Sequence, residues 1–399
     1  MDFSTLKPFA APYLDKLGPY LRNALATDGA DYWASGRASM GIMLELSSVG
    51  THWTDLEQWF AQAKDCRLTV AHRSSAFATA AVNEAMLAKL MAADYVCHIE
   101  IADPLVANRA TYGIPGVQQP GPTRGVEDVP TAALLPTAEV LLAVIDHGCP
   151  FAHREFKIDS NKSRLVALWD QNEVSPMAPE LCTTPLGFGY GRQLDSAAMT
   201  DILNQATVNG DVDEALCYQL AGQPLQTRAT HGSHVLGLLA ARHDTVHTDT
   251  VYPVSDSVAA KSPIAFVQLP RVFLETPSPK MMERCVYDGL RYLLTCAQRS
   301  QIKRVVAVVD YGTHLGPHDG SGWLERAIDA MIDHARVDLQ IRLDIFFPAG
   351  NAFKQKTHAR WEKLSQGVSA IHWVVPPSGD TPSFFELWLE TPTNSVAFT

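Results

Sequence analysis

Four continuous apolar runs constrain this chain more than any other feature. They are Ala138-Glu139-Val140-Leu141-Leu142-Ala143-Val144-Ile145, Ile264 to Leu269, Val305 to Val309 and Leu343 to Phe347. A run without polar alternation suits a strand covered on both faces, as in a parallel sheet. Helical stretches from Met281 to Cys296 and from Gly322 to Ala335 separate the later runs. Strands alternating with helices predict an α/β domain with a mostly parallel sheet and flanking helices.

Before this unit the pattern is different. Tyr13, Leu14, Leu17, Leu21 and Leu25 predict one amphipathic helix over residues 12 to 28. From Ile42 to Ile101 the order reads strand (Ile42 to Leu46), helix (Asp55 to Cys66), strand (Leu68 to Ala71), helix (Val82 to Met91), strand (Tyr95 to Ile101), a small α+β domain. Six prolines between Asp103 and Pro136 disfavour helix and central strand, so that stretch reads as a linker. Near the end, Trp373 to Pro377 and Phe384 to Glu390 read as two antiparallel strands joined by a turn. The expected division is therefore 1–105, linker 106–137, α/β domain 138–365 and antiparallel segment 366–399.

A length of 399 residues allows two or three such units, and 46% hydrophobic with 19% charged residues is a globular balance. The net charge of −11 is spread along the chain, which argues against a nucleic-acid partner. No leader-like or membrane-spanning stretch is visible, and seven cysteines without paired short spacing suit free thiols, so a cytoplasmic setting without membrane contact is expected.

Three polar residues stand at the ends of predicted strands or at a helix start. Asp146 follows the run ending at Ile145 and precedes His147-Gly148, at the strand end where open α/β sheets place their sites. Taken alone, it reads also as a turn residue bonding nearby amides. His231 opens Thr230-His231-Gly232-Ser233-His234-Val235-Leu236-Gly237, a segment fit for a buried helix with its first residue facing a cleft. It reads also as a structural histidine, or with His234 as a metal pair lacking the customary glutamate and a third ligand. Asn351 closes Pro348-Ala349-Gly350-Asn351, which is also an ordinary turn sequence.

Taken together and in this order, these segments resemble the subtilisin-like serine peptidase family. Asp146-His147-Gly148 is similar to its Asp-Ser/Thr-Gly motif, Thr230 to Gly237 to its His-Gly-Thr-His-Val-Ala-Gly helix, and Pro348 to Asn351 to its Ala-Ala-Gly-Asn turn. Val305 to Gly312 resembles the strand that pairs with extended substrate, so the resemblance spans about Ala138 to Phe353.

The resemblance implies a subtilisin-like sheet and peptide-bond hydrolysis through a catalytic triad. His231 would take a proton from a serine hydroxyl, Asp146 would orient the imidazole, and Asn351 would donate to the oxyanion hole. Asp310, Tyr311 and Gly312 would offer backbone groups to a peptide or protein substrate. By the order and position of its strands and helices the 1–105 domain resembles the family's propeptide, with cleavage then expected in the stretch after Ala102, and reads also as an unrelated docking domain.

Two departures matter. No segment matches the family's Gly-Thr-Ser-Met-Ala-like nucleophile; Ser395 lacks the preceding glycine and a following helix, so the serine is expected beyond Thr399 and the chain's own C-terminal portion becomes an expected partner. Asp310 stands where many relatives carry a small residue, which suits a basic substrate side chain or a loop cap. A catalytically dead peptide-binding or regulatory protein is the alternative. No metal ligand set is assigned; the resemblance brings in calcium as a bracing ion, but no acidic cluster names its site.

Overall fold

The computed structural model describes residues 1–29, 37–47, 52–70, 73–102, 126–127, 138–159, 161–172, 181–223, 230–242, 246–247, 250–251, 257–271, 279–359, 374 and 384–388. The N-terminal unit consists of α1 (Phe3–Ala10), α2 (Pro19–Ala26), β1 (Met40–Leu46), α3 (His52–Gln62), β2 (Arg67–Val70), β3 (Phe77–Val82), α4 (Glu84–Ala92) and β4 (Val96–Ile101). The second unit contains β5 (Val140–Asp146), β6 (Leu165–Asp170), β7 (Arg192–Asp195), α5 (Ser196–Gln205), α6 (Glu214–Leu220), α7 (His231–Ala240), β8 (Ile264–Gln268), α8 (Pro279–Arg299), β9 (Arg304–Val309), α9 (Trp323–Val337) and β10 (Arg342–Phe346).

The second unit is built on a six-stranded sheet in the order β7-β6-β8-β5-β9-β10. Every pairing is parallel except that of β7 with β6. The class is α/β with a mostly parallel sheet, as the apolar runs predict. Alternate residues of β5 serve two cores: Leu141, Ala143 and Ile145 pack with α8 and α9, whereas Leu142 and Val144 pack with α5, α6 and α7. This two-sided burial is why β5 tolerates no polar residue until Asp146.

In the N-terminal unit an antiparallel sheet, ordered β2-β3-β1-β4, carries the four helices on one face. Its other face packs on α8 and α9 of the second unit. Thr79 donates to the buried carboxylate of Asp288 at 2.8 Å, Tyr287 donates to the Phe77 carbonyl at 3.2 Å, and Phe77 meets Trp323 edge to face at 5.6 Å. Arg326 grips Glu45 through both terminal guanidinium nitrogens. None of the described helices is long and apolar enough to cross a membrane. All seven cysteines are free thiols.

Several expectations need correction. The single helix over residues 12–28 is a 3₁₀ turn (Ala11–Lys16) followed by α2, with Leu17 extended against Ile99. Gly18 forces the break: a Cβ there would lie 2.2 Å from Glu100 Oε2, and that carboxylate accepts the first amides of α2, from Tyr20 and Leu21. Strands β3, β6 and β7 are additional to those expected. The linker 106–137 lies outside the described residues except for Val126–Glu127, which pairs with Thr184–Pro185 as a short parallel bridge. Of the expected tail strands, Trp373 to Pro377 lies outside apart from Val374, and Phe384 to Trp388 forms no strand. That segment is held by side chains instead: Glu386 accepts from Tyr20 Oη and from the Gly316 amide, each at 2.8 Å.

Candidate active site

The carboxyl ends of the parallel strands are level with one another. Asp146 is opposite Gln268, Ile145 is opposite Val309, and Val308 is opposite Phe346. Asp310, one step past Val309, therefore stands beside Asp146. The same register brings the turn after β10 to this edge.

The Asp146 corner is fixed by close approach. Asp146 is fully buried and its Oδ1 accepts the His147 amide at 2.6 Å. Gly148 has φ +88°, and a Cβ on it would lie 2.2 Å from Thr230 Oγ1, so the third residue of the Asp-His-Gly segment admits no side chain. Thr230 caps α7, and its hydroxyl donates to the Gly148 carbonyl at 3.1 Å. Ser233 completes a capping box, its Oγ accepting the Thr230 amide at 3.0 Å. Gly232 lets the helix start touch the Asp146 turn: its amide donates to the His147 carbonyl at 3.0 Å, and a Cβ would meet that oxygen at 2.8 Å. Leu236 and Ala240 anchor the following turns in the core.

This placement sets the imidazole of His231 against the buried carboxylate. Nδ1 lies 3.0 Å from Asp146 Oδ1 and 2.9 Å from Oδ2. An ionised carboxylate only accepts, so Nδ1 carries a proton, and in the neutral imidazole Nε2 turns its lone pair outward. Burial pushes the Asp146 carboxyl above its ordinary value; the His147 amide and His231 oppose the rise, and the Asp310 carboxylate adds to it.

On the outward side of the imidazole, Nε2 lies 3.7 Å from Asp310 Oδ2. The Tyr311 ring stands edge-on to His231 at 5.9 Å. Burial, reinforced by Asp146 and Asp310, pushes the Tyr311 hydroxyl up to about 12, so it stays protonated at neutral pH and is no base. Gly312 is exposed, with Pro348 at ordinary van der Waals distance from where a Cβ would be. Gly350 turns the chain with φ +83° against His314, leaving Asn351 exposed.

The structure thus brings Asp146, His231, Asp310 and Tyr311 together. Gly312 and Asn351 lie on the same edge, and among the described residues Asn351 has no hydrogen bond to the imidazole or either carboxylate. His234 is exposed and stands apart from the converging group of Asp146, His231 and Asp310. Ser395 lies outside the described residues. Two supports escaped the sequence reading: Gln268 Oε1 accepts the Gly148 amide at 3.3 Å, and Gln223 Oε1 accepts the Cys149 amide at 3.0 Å. A polar residue closing the run Phe266-Val267-Gln268 was the available signal for the first.

No known protein family matches the sequence, and no curated protein does. Among solved structures, the Clostridium perfringens CspB protease is similar, with TM-score 0.38 and 20% identity over 55% of this chain and 37% of that one. The chain therefore spans well under two thirds of that protein's length.

Proposed function

We propose that this chain supplies the aspartate, the histidine and the oxyanion asparagine of a subtilisin-like serine endopeptidase. The observation that carries this reading is the imidazole of His231, held through Nδ1 by a fully buried carboxylate with Nε2 facing outward at the sheet's carboxyl edge. A serine hydroxyl is a poor nucleophile at neutral pH until a base within hydrogen-bond reach removes its proton. His231 is that base, and Asp146 stabilises the imidazolium that forms. The hydroxyl oxygen attacks the peptide carbonyl, His231 returns the proton to the leaving amine, and water releases the acyl group. Asn351 donates to the oxyanion, a contact worth about 10²–10³ in rate. Backbone groups of Asp310, Tyr311 and Gly312, past the end of β9, pair with an extended peptide.

In this reading the serine comes from a segment outside the 399 residues, packed beside Asn351, where Phe346 and Phe347 are 57% and 46% exposed. The N-terminal unit acts as a propeptide-like domain, supported by its sheet lying on α8 and α9. The free cysteines favour a reducing, cytoplasmic setting.

A second reading is a peptide-binding protein without a nucleophile. It is favoured by Asp310, whose carboxylate faces Nε2 where a hydroxyl would have to approach. Fluorophosphonate labelling of the native gene product separates the two. The peptidase reading predicts one labelled serine in a Gly-Thr-Ser-like segment and no label in His231→Ala. A native product with no such segment and no label supports the binding protein, and label surviving His231→Ala overturns the active-site assignment.

A further inference from the structure

Two carboxylates share one imidazole at this edge: one atom from each of Asp146, His231 and Asp310 lies within 4.8 Å of the others. Counting hydrogens leaves the group incomplete. In the neutral imidazole, with the Nδ1 proton given to Asp146, Nε2 and Asp310 Oδ2 face each other as two acceptors at 3.7 Å. That separation exceeds a hydrogen bond, about 2.7–3.2 Å. It is close to the spacing of two ligands on one ion. A nitrogen and an oxygen each about 2.0–2.2 Å from zinc, at tetrahedral to trigonal angles, lie about 3.3–3.7 Å apart.

The surroundings fit as well. The Asp146 carboxylate behind the ring orients the imidazole and raises its basicity, as carboxylates do behind zinc-bound histidines. The outer side is open, with the His231 and Asp310 side chains 55% and 31% exposed. Two protein atoms, Nε2 and Oδ2, face the ion, one fewer than in a three-ligand catalytic zinc site, so two water molecules complete a tetrahedral shell on the open side. An imidazole with carboxylate oxygens suits zinc and its neighbours in the transition series over magnesium or calcium.

We propose that His231 Nε2 and Asp310 Oδ2, with Asp146 behind the ring, form a binding site for a divalent transition-metal ion, zinc being the best match. An ion on Nε2 occupies the lone pair that a general base needs, so metal and peptidase chemistry exclude each other at this residue. The site itself does not rest on the peptidase reading.

The test is titration of the 399-residue chain with zinc chloride by calorimetry, and with cobalt(II) by visible absorption. Cobalt separates this site from the free thiols, because a thiolate ligand adds a charge-transfer band and nitrogen and oxygen ligands do not. The expected result is one ion per chain without that band. Binding falls below measurement in Asp310→Asn and His231→Gln, weakens about 10- to 100-fold in Asp146→Asn, and is unchanged in His234→Ala. Circular dichroism melts confirm that the variants fold; Asp310→Asn, at a partly exposed loop position, keeps the test decisive where Asp146→Asn does not fold. Absence of stoichiometric binding, a thiolate band, or full affinity in Asp310→Asn overturns the proposal. Each of these outcomes leaves the fluorophosphonate test of the peptidase reading untouched.

Discussion

The two ends of the candidate site are built in opposite ways. At the Asp146 corner, a buried carboxylate, two glycines without room for a Cβ and a capped helix hold the imidazole in place. At the Asn351 corner, the strand β10 ends in exposed Phe346 and Phe347, and the asparagine itself is exposed. Proton handling needs a fixed geometry before substrate arrives, and the first corner provides it. The proposed oxyanion donor needs fixing only in an assembled site, so the second corner is where the proposed nucleophile segment would pack.

Substitutions at the glycines measure the contrast most strongly. Gly148→Ala forces a left-handed backbone on alanine and pushes Cβ into Thr230, and Gly232→Ala meets the carbonyl oxygens of His147 and Gly148. Each should lower stability in urea melts by about 2–4 kcal/mol. Gly350→Ala, also at positive φ but against the movable ring of His314, should cost about 1 kcal/mol. Equal losses at the three positions would erase the distinction between the corners.

Glu100 sharpens the comparison from the N-terminal unit, as a second buried carboxylate that accepts backbone amides but has no imidazole partner. Burial pushes it up to about 7 from 4.5, despite the amides of Leu21, Ile101 and Tyr20 and the charge of Lys280. The folded value lies above the unfolded one, so its stabilising share is present below about pH 4.5 and is lost as pH rises through about 7. Thermal melts across that window should show a fall of up to about 3 kcal/mol in this unit, flattened in Glu100→Gln. A pH-independent stability would contradict the burial argument.

Smaller effects separate structure from chemistry. Thr230→Ala removes the cap of α7 and should cost about 1 kcal/mol. Asn351→Ala, at an exposed turn, should change stability by less than about 0.5 kcal/mol, yet, under the proposed peptidase function, lower the rate about 10²–10³-fold.

The parallel sheet was legible because its central strands are apolar on both faces, and the Asp146, His231 and Asn351 segments stood out at their ends. What escaped has physical reasons. Strand β3, Phe-Ala-Thr-Ala-Ala-Val, is rich in alanine and carries little strand signal, yet its small residues let helices and α8 approach from both sides. Strand β6 follows Arg164, a charged residue that looks like surface but is buried and donates to the carbonyls of Ala240, Ala259 and Ser262. The helix break at Gly18 depends on Glu100, far away in sequence. The approach of Asp310 to Nε2 follows from the pairing of Val309 with Ile145, a register no local motif encodes. The tail segment near Glu386 is held by single side-chain contacts, which leave no periodicity to read.

The central claim is that Asp146 holds the His231 imidazole with its proton on Nδ1. Nitrogen-15 and proton NMR of the metal-free chain tests it directly. The account predicts a protonated Nδ1 with a downfield, slowly exchanging proton that disappears in Asp146→Ala. A histidine ring protonated on Nε2 alone, or a signal unchanged by that substitution, would contradict it.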